Sequence, residues 1–131
     1  MFRAFTVAVI AVLSMFLGLA VSLAGPNDYV FEPVKAQVQQ GDDAVVAVRL
    51  MHKKTRKPVT NAEIILTRID MGPEGMGEMA SPLTALPNPE PGVYAFKTDL
   101  SMTGRWLLRI AAMVPGERQA VVGKITFRSA R

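Results

Sequence analysis

The stretch RWLLRIAAMVPGERQAVVGKITFR, residues 105–128, decides the fold class of this chain. Its two halves, 105–114 and 118–128, are rich in β-branched and aliphatic residues, and Pro115-Gly116 stands between them. Two apolar runs separated by such a turn signal predict a β-hairpin. The stretch therefore predicts two neighbouring antiparallel strands and no helix.

Similar short runs recur upstream at regular spacing, and residues 25–131 contain no helical periodicity. Pro82 should restrict the segment 81–86 to the edge of a sheet. The pattern predicts an all-β, seven-stranded antiparallel sandwich of immunoglobulin-like type that follows an N-terminal signal segment. The predicted strands are 34–39, 44–51, 62–69, 81–86, 93–99, 105–114 and 118–128, with residues 29–31 as a further edge piece. The predicted core residues are Val46, Val48, Ile64, Leu66, Phe96, Trp106 and Ile125.

The N-terminal segment has the composition of an export signal. Arg3 precedes an uncharged apolar run at residues 5–23, and Ser22 and Ala24 supply small residues at a cleavage position. We therefore predict a signal peptide at 1–24 and one domain at 25–131, located in the periplasm or otherwise outside the cytoplasm. The alternative is an uncleaved anchor that holds the domain at the inner membrane, since the run approaches the length of a membrane span. Only residues 1–24 would contact the membrane, and only if they remain uncleaved.

Composition narrows the function classes. The chain has no cysteine, one histidine and a formal net charge of +4, so it cannot form a disulfide or a usual zinc site. The basic cluster HKKTRK at 52–57 could contact phosphate or anionic lipid. It has no aromatic platform, so we expect a solvated turn and no nucleic-acid partner. His52 lies in that charged turn, and the adjacent Asp42 and Asp43 are turn formers. We therefore expect no enzymatic activity.

The stretch MGPEGMGEM, residues 71–79, places three methionines among glycines, a proline and two glutamates. This composition predicts a loop between the third and fourth strands. If successive strands are antiparallel, this loop, the turn at 42–43 and the loop that carries Met102 all lie at one end of the sandwich. Met71, Met76, Met79 and Met102 should then lie together, with His52 at the opposite end.

Methionine thioethers are soft, neutral ligands, and sets of them select Cu(I) over zinc or magnesium. The four methionines are therefore candidate Cu(I) ligands, and no other cofactor is indicated. Two alternatives remain open at this point. The methionines could plug the open end of the core, or they could form an adaptable surface for a partner protein.

Several segments resemble the YtkA-like family: KPVTNAEI at 57–64, MGEM at 76–79, GVY at 92–94 and MTGRW at 102–106. The resemblance covers about residues 30–128. It extends to the related FixH-like proteins and to the immunoglobulin-like fold of CopC-type periplasmic copper carriers. The chain lacks the histidine-led N-terminal ligand motif of the CopC type, and it is shorter than the FixH type.

The resemblance implies a role outside the cytoplasmic membrane in copper handling, metal efflux or metalloprotein assembly. Together with the methionines, it favours an extracytoplasmic protein that binds or delivers Cu(I) through its Met-rich loop. The partner would be an efflux component or a metalloprotein of the periplasm or membrane. The alternative is a structural or adaptor sandwich without metal that contacts a partner protein in the periplasm.

Overall fold

The computed structural model describes residues 26–131, so the predicted signal segment 1–24 lies outside the described residues. The described chain forms two short 3-10 turns, Pro26–Asp28 and Gly72–Glu74, and nine strands. The strands are β1 Tyr29–Pro33, β2 Gln37–Gln39, β3 Gly41–His52, β4 Glu63–Met71, β5 Met76–Ser81, β6 Leu83–Ala85, β7 Val93–Leu100, β8 Gly104–Met113 and β9 Val121–Ala130. Within this range no helix is long and apolar enough to cross a bilayer.

The strands form two sheets that share one hydrophobic core. The first sheet has the order β1-β3-β7-β6, and the second has the order β2-β9-β8-β4-β5. The predicted hairpin is present, since β8 pairs antiparallel with β9 from Gly104 to Ala112. The all-β, immunoglobulin-like sandwich class is therefore confirmed.

The core follows the period-two alternation of strands, in which every second side chain points to the same face. On β8, Trp106, Leu108 and Ile110 are at most 1 % exposed, and on β3 both Val46 and Val48 are fully buried. The predicted core residues Phe96 and Ile125 are also buried, and Ile64 packs against the core from its margin. Alternation of apolar residues thus predicted most of the core correctly.

Leu66 is the exception, and its assignment to the core was wrong because its side chain is 57 % exposed. In β4, Ile64 pairs with Ala112 of the neighbouring strand β8, and Leu66 pairs with the adjacent residue of β8, Ala111. Ile65 is therefore an extra residue in β4. An inserted residue of this kind is a β-bulge, which changes the face to which the following side chains point. The bulge therefore turns Leu66 away from the core.

The N-terminal strands differ from the prediction in number and direction. Residues 29–33 form a full edge strand, β1, whereas the predicted strand 34–39 is reduced to β2. β2 belongs to the other sheet and pairs parallel with β9 through Gln37, Val38 and Gln39. The chain thus changes sheets between β1 and β2. The two strands beyond the predicted seven are β1 and β5. The segment around Pro82 forms β6 at a sheet edge, as predicted.

Candidate functional site

The predicted methionine loop is a tight reversal followed by a strand. After Met71 the chain makes the 3-10 turn Gly72–Glu74, and Gly75 adopts a left-handed conformation with φ of 74°. Met71 then faces Met76 across the β4–β5 ladder. The expectation of a strandless segment was wrong, because Gly75 permits a reversal that returns Met76–Ser81 alongside β4. We call this turn and strand, with the loop 101–103, the methionine end.

Met71 is a core residue. Its side chain is fully buried in the hydrophobic cluster that both sheets share. A Cβ placed on Gly104 would lie 3.0 Å from the Met71 Cε, so the glycine leaves space for this side chain. Met71 therefore fills the end of the sandwich core. This is the role that the core-plug alternative to metal binding predicted for the methionines.

The other three methionines lie in more open environments. Met76 is partly buried and packs against the core, whereas Met79 and Met102 are each 39 % exposed. The carbonyl of Met102 accepts a hydrogen bond of 3.1 Å from the Trp106 indole nitrogen. This bond fixes the backbone of Met102 and leaves its thioether outside the core.

Glu74 joins the two loops of the methionine end. Its Oε1 accepts hydrogen bonds of 2.9 Å from both the backbone N–H and the Nε of Arg105, which follows the loop 101–103. The Arg105 side chain also donates to the carbonyl of Pro73. The hydrogen bonds from Arg105 hold the pKa of the Glu74 carboxyl below its ordinary value. The carboxylate thus connects two loops, and the contact brings them to one end as the topology predicted.

A charged cluster that sequence reasoning missed lies directly before this turn. Asp70 is 2 % exposed, and its Oδ2 accepts hydrogen bonds from Arg68 at 2.9 Å and from Arg109 at 2.8 Å. Its Oδ1 accepts a third bond, of 2.8 Å, from the Gly72 N–H. Burial alone would raise the pKa of Asp70, but these bonds outweigh it and lower the pKa. The sequence does contain a sign of this cluster, since the charged residues Arg68, Asp70 and Arg109 interrupt otherwise apolar strands.

A shallow groove of about 470 Å³ opens beside the methionine end. Met76 lines it, whereas Met71, Met79 and Met102 do not, and Glu74, Arg128 and Ser129 contribute polar walls. The buried Ser129 hydroxyl has no hydrogen-bond partner among the described residues. The groove therefore does not collect the four predicted thioethers in one wall.

Other metal ligands are not grouped in the described part of the chain. Between residues 26 and 131, no three histidine, aspartate or glutamate side chains form a cluster that could hold a metal ion. His52 lies at the other end of β3, where the centroid of its ring is 4.7 Å from that of Tyr29, with the ring planes tilted by 41°. His52 is thus separated from the methionine end, as the predicted topology requires.

The second sheet has an open edge on β4. Residues 63–68 pair with β8 on one side, but β5 covers only Ile69, Asp70 and Met71 on the other. Among the described strands, nothing pairs with the remaining edge of residues 63–68, which we call the β4 edge. Ile65 and Leu66 on it are 51 % and 57 % exposed. A hollow of about 210 Å³ adjoins this edge, with Leu83, Ala85 and Phe96 in its wall.

Fold and site together define a small immunoglobulin-like β-sandwich domain. The sequence profile of the YtkA-like family matches residues 23–111, and the chain therefore belongs to that family. The family predicted from the short motifs is confirmed.

Two solved structures are similar in fold. The filamin domain of Lin-41 has a TM-score of 0.47 and 18 % identity, over 79 % of this chain and 93 % of that chain. The C-terminal domain of ZirS has a TM-score of 0.45 and 12 % identity, over 86 % of this chain and 74 % of that chain. No curated protein sequence matches this chain.

Proposed function

We propose that this YtkA-like domain is an extracytoplasmic adaptor that binds an extended segment of a partner protein along the β4 edge. The observation that carries this proposal is the unpaired run of residues 63–68 with its exposed Ile65 and Leu66. An open edge offers a row of backbone donors and acceptors to an added strand. Strand addition uses these groups for affinity and neighbouring pockets for specificity.

The surroundings of the β4 edge suit such a segment. The adjoining hollow is lined by Leu83, Ala85 and Phe96 as well as by residues of β4 itself. An apolar side chain of the added strand would enter this hollow and remove the exposed faces of Ile65 and Leu66 from water. The favoured partner is therefore an extended peptide with alternating apolar residues.

Selection of binders from a displayed library of extended peptides tests this proposal. Selected peptides should lose binding to a Leu66→Lys variant and keep binding to a Val122→Lys variant. Val122 is 67 % exposed on β9, away from the β4 edge, and is a matched control. Amide hydrogen exchange should slow at residues 63–68 on binding. Peptides that protect other residues, or that bind the Leu66→Lys variant equally well, would refute strand addition at this edge.

Cu(I) binding at the methionine end is the second candidate function. The Glu74–Arg105 hydrogen bonds hold the β4–β5 turn and the loop 101–103 at the same end. Because Met71 fills the core, the available thioethers are those of Met76, Met79 and Met102. Thioethers of this kind suit Cu(I) in an oxidising compartment. The recipient would be an efflux component or a metalloprotein.

Anaerobic titration with Cu(I) against a competing chelator decides this second candidate. One equivalent should bind to the parent protein and not to a Met76→Leu/Met79→Leu variant, which nearly preserves side-chain volume. A Met51→Leu/Met113→Leu variant is the control, because these two methionines lie at the ends of β3 and β8 that are remote from the methionine end. Absence of competition at every chelator strength would leave Met76, Met79 and Met102 as packing or contact residues.

The extracytoplasmic location rests on the apolar run at residues 5–23 and the small residues that follow it. N-terminal sequencing of the protein recovered from the extracytoplasmic fraction would give Gly25 if the segment is cleaved after Ala24. An intact N-terminus in the membrane fraction would instead show an anchor. The proposal of a binding function without catalysis rests on the single histidine in a charged turn and the absence of cysteine.

A further inference from the structure

We propose that the basic turn at residues 52–57 is a docking surface for the anionic headgroup layer of a lipid bilayer. We call this turn the basic loop; it reads HKKTRK and connects β3 to the segment before β4. The proposal concerns the end of the sandwich opposite the methionine end, and it does not depend on the adaptor or copper function. It rests on the uncleaved form of the N-terminal segment, in which the apolar run at residues 5–23 stays in the bilayer as an anchor.

The first observation is the position of the basic loop relative to the start of the described chain. The Lys53 N–H donates a hydrogen bond of 2.9 Å to the carbonyl of Asp28, in the 3-10 turn Pro26–Asp28. Next to it, Tyr29 pairs with His52 in the β1–β3 ladder. The basic loop therefore lies against the segment through which the chain enters the domain.

The second observation is the short distance in sequence from this segment to the apolar run. The run ends at Leu23, five residues before Asp28. An extended chain spans at most about 3.6 Å per residue, so Asp28 lies within roughly 18 Å of Leu23 along the chain. If the run is embedded in a bilayer, the basic loop is held close to the headgroup layer.

The third observation is the charge that the basic loop presents. Lys53, Lys54 and Lys57 are exposed, and none of them forms an ion pair with a described residue. Arg56 instead donates hydrogen bonds of 3.0 and 3.2 Å to the Glu32 carboxylate. Arg56 also has a left-handed φ of 60°, and its N–H donates to the His52 carbonyl. The arginine thus fixes a tight turn and leaves three lysine ammonium groups toward solvent.

These features favour a phosphate-rich membrane surface over other anionic partners. Lysine acts as a point charge on phosphate and requires no preformed pocket. Lysines next to a membrane-inserted segment are attracted to anionic lipids, and the attraction decreases within a Debye length. Because β3 has 12 residues and rises about 3.3 Å per residue, docking would place the methionine end roughly 35–40 Å from the bilayer. That end would then face outward.

The full chain in lipid vesicles tests the proposal. Because the chain has no cysteine, a Thr55→Cys variant can carry one fluorophore in the basic loop. A Thr103→Cys variant carries the same fluorophore at the methionine end as a positional control. Quenching by a lipid-attached quencher is compared between vesicles of phosphatidylglycerol with phosphatidylcholine and vesicles of phosphatidylcholine alone.

We expect the label at position 55 to be quenched at least twofold more in the anionic vesicles, with the excess lost in 1 M salt. The label at position 103 should show little quenching in either. Neutralising the loop by Lys53→Gln, Lys54→Gln and Lys57→Gln should abolish the excess. Neutralising the three exposed lysines Lys35, Lys97 and Lys124 in the same way should preserve it, although the change in net charge is identical.

Equal quenching at position 55 in the two vesicle types would overturn the proposal, because the loop would then be near the bilayer without recognising its charge. An equal effect of the two neutralised variants would also overturn it. That result would assign the attraction to net charge. Thermal unfolding of each variant confirms that the sandwich is intact.

Discussion

At the scale of single residues, the cluster around Asp70 shows how a buried charge can be compatible with a sandwich. Arg68 and Arg109 are directly opposite each other in the β4–β8 ladder, and like charges in this position are destabilising. The carboxylate of Asp70 accepts hydrogen bonds from both guanidinium groups. The three residues therefore form one unit in which Asp70 removes the repulsion between the arginines.

Replacing Asp70 with asparagine should lower the free energy of unfolding by about 2 kcal/mol at pH 7, because charge-assisted bonds to a buried acceptor are lost. The pKa of Asp70 is lowered from its ordinary value of 3.8. Its contribution is therefore present above pH 4 and is lost as the pH falls through the lower pKa of the folded protein. Urea unfolding between pH 7 and pH 3 checks this. A difference between parent and Asp70→Asn variant that does not shrink below pH 4 would contradict the assignment.

Gly104 is the residue on which the packing of Met71 depends. Its φ is +132°, a conformation unfavourable for residues with a side chain, and an added Cβ would lie 3.0 Å from the Met71 Cε. A Gly104→Ala variant should therefore lose about 1–3 kcal/mol of stability. Gly77→Ala is the matched control, since a Cβ there meets no atom within 4 Å; it should change stability by less than about 0.5 kcal/mol. Similar melting temperatures for the two variants would refute this role of Gly104.

At the scale of elements, the bulge at Ile65 sets the face to which each later side chain of β4 points. Leu66, directly after the bulge, is 57 % exposed, whereas Ile69, three residues later and on the opposite face, is fully buried. Ile69→Ala should therefore destabilise the domain by about 2–5 kcal/mol. Leu66→Ala should change its stability by about 0.5 kcal/mol or less. Chemical denaturation of the two variants measures both values, and comparable losses would mean that Leu66 belongs to the core after all.

The same strand shows how far sequence reasoning reached. Period-two alternation in β7, β8 and β9 identified Phe96, Trp106 and Ile125 as core residues, because regular strands reveal their buried face directly. A bulge interrupts that period without a distinctive residue at Ile65, so Leu66 was assigned to the wrong face. The pattern in each strand therefore predicts burial reliably only where the ladder is uninterrupted.

The site was less predictable than the core. The placement of the methionine-bearing segments at one end follows from strand order alone. The burial of Met71 depends on Gly104, which is distant in sequence, and on a turn that Gly75 makes possible. The strand β5 was missed because glycine and methionine carry little strand preference. Its formation comes from pairing with β4, which is a tertiary effect.

At the scale of the whole molecule, side-chain hydrogen bonds tie distant segments at both ends of the sandwich. At the methionine end, Glu74 and Arg105 connect two loops. At the other end, the Tyr29 hydroxyl donates a bond of 2.9 Å to Glu117, 88 residues away. Tyr29 belongs to the first sheet and Glu117 to the β8–β9 turn of the second. The Tyr29–Glu117 bond therefore links the two sheets.

This link should make the stability of the domain depend on alkaline pH. Burial, together with the hydrogen bond to Glu117, raises the pKa of Tyr29 from 10.0 to about 12. The unfolded chain therefore releases this proton first, so the stabilisation is complete below pH 10 and is lost as the pH rises toward 12.

A Tyr29→Phe variant should be about 1 kcal/mol less stable at pH 7, because it lacks the bond. Urea unfolding at pH 7, 10 and 11.5 should show the two proteins converging as the parent loses its advantage. Parallel losses in both proteins would mean that groups common to the two account for the alkaline dependence. The Tyr29 hydroxyl would then not be the link between the sheets.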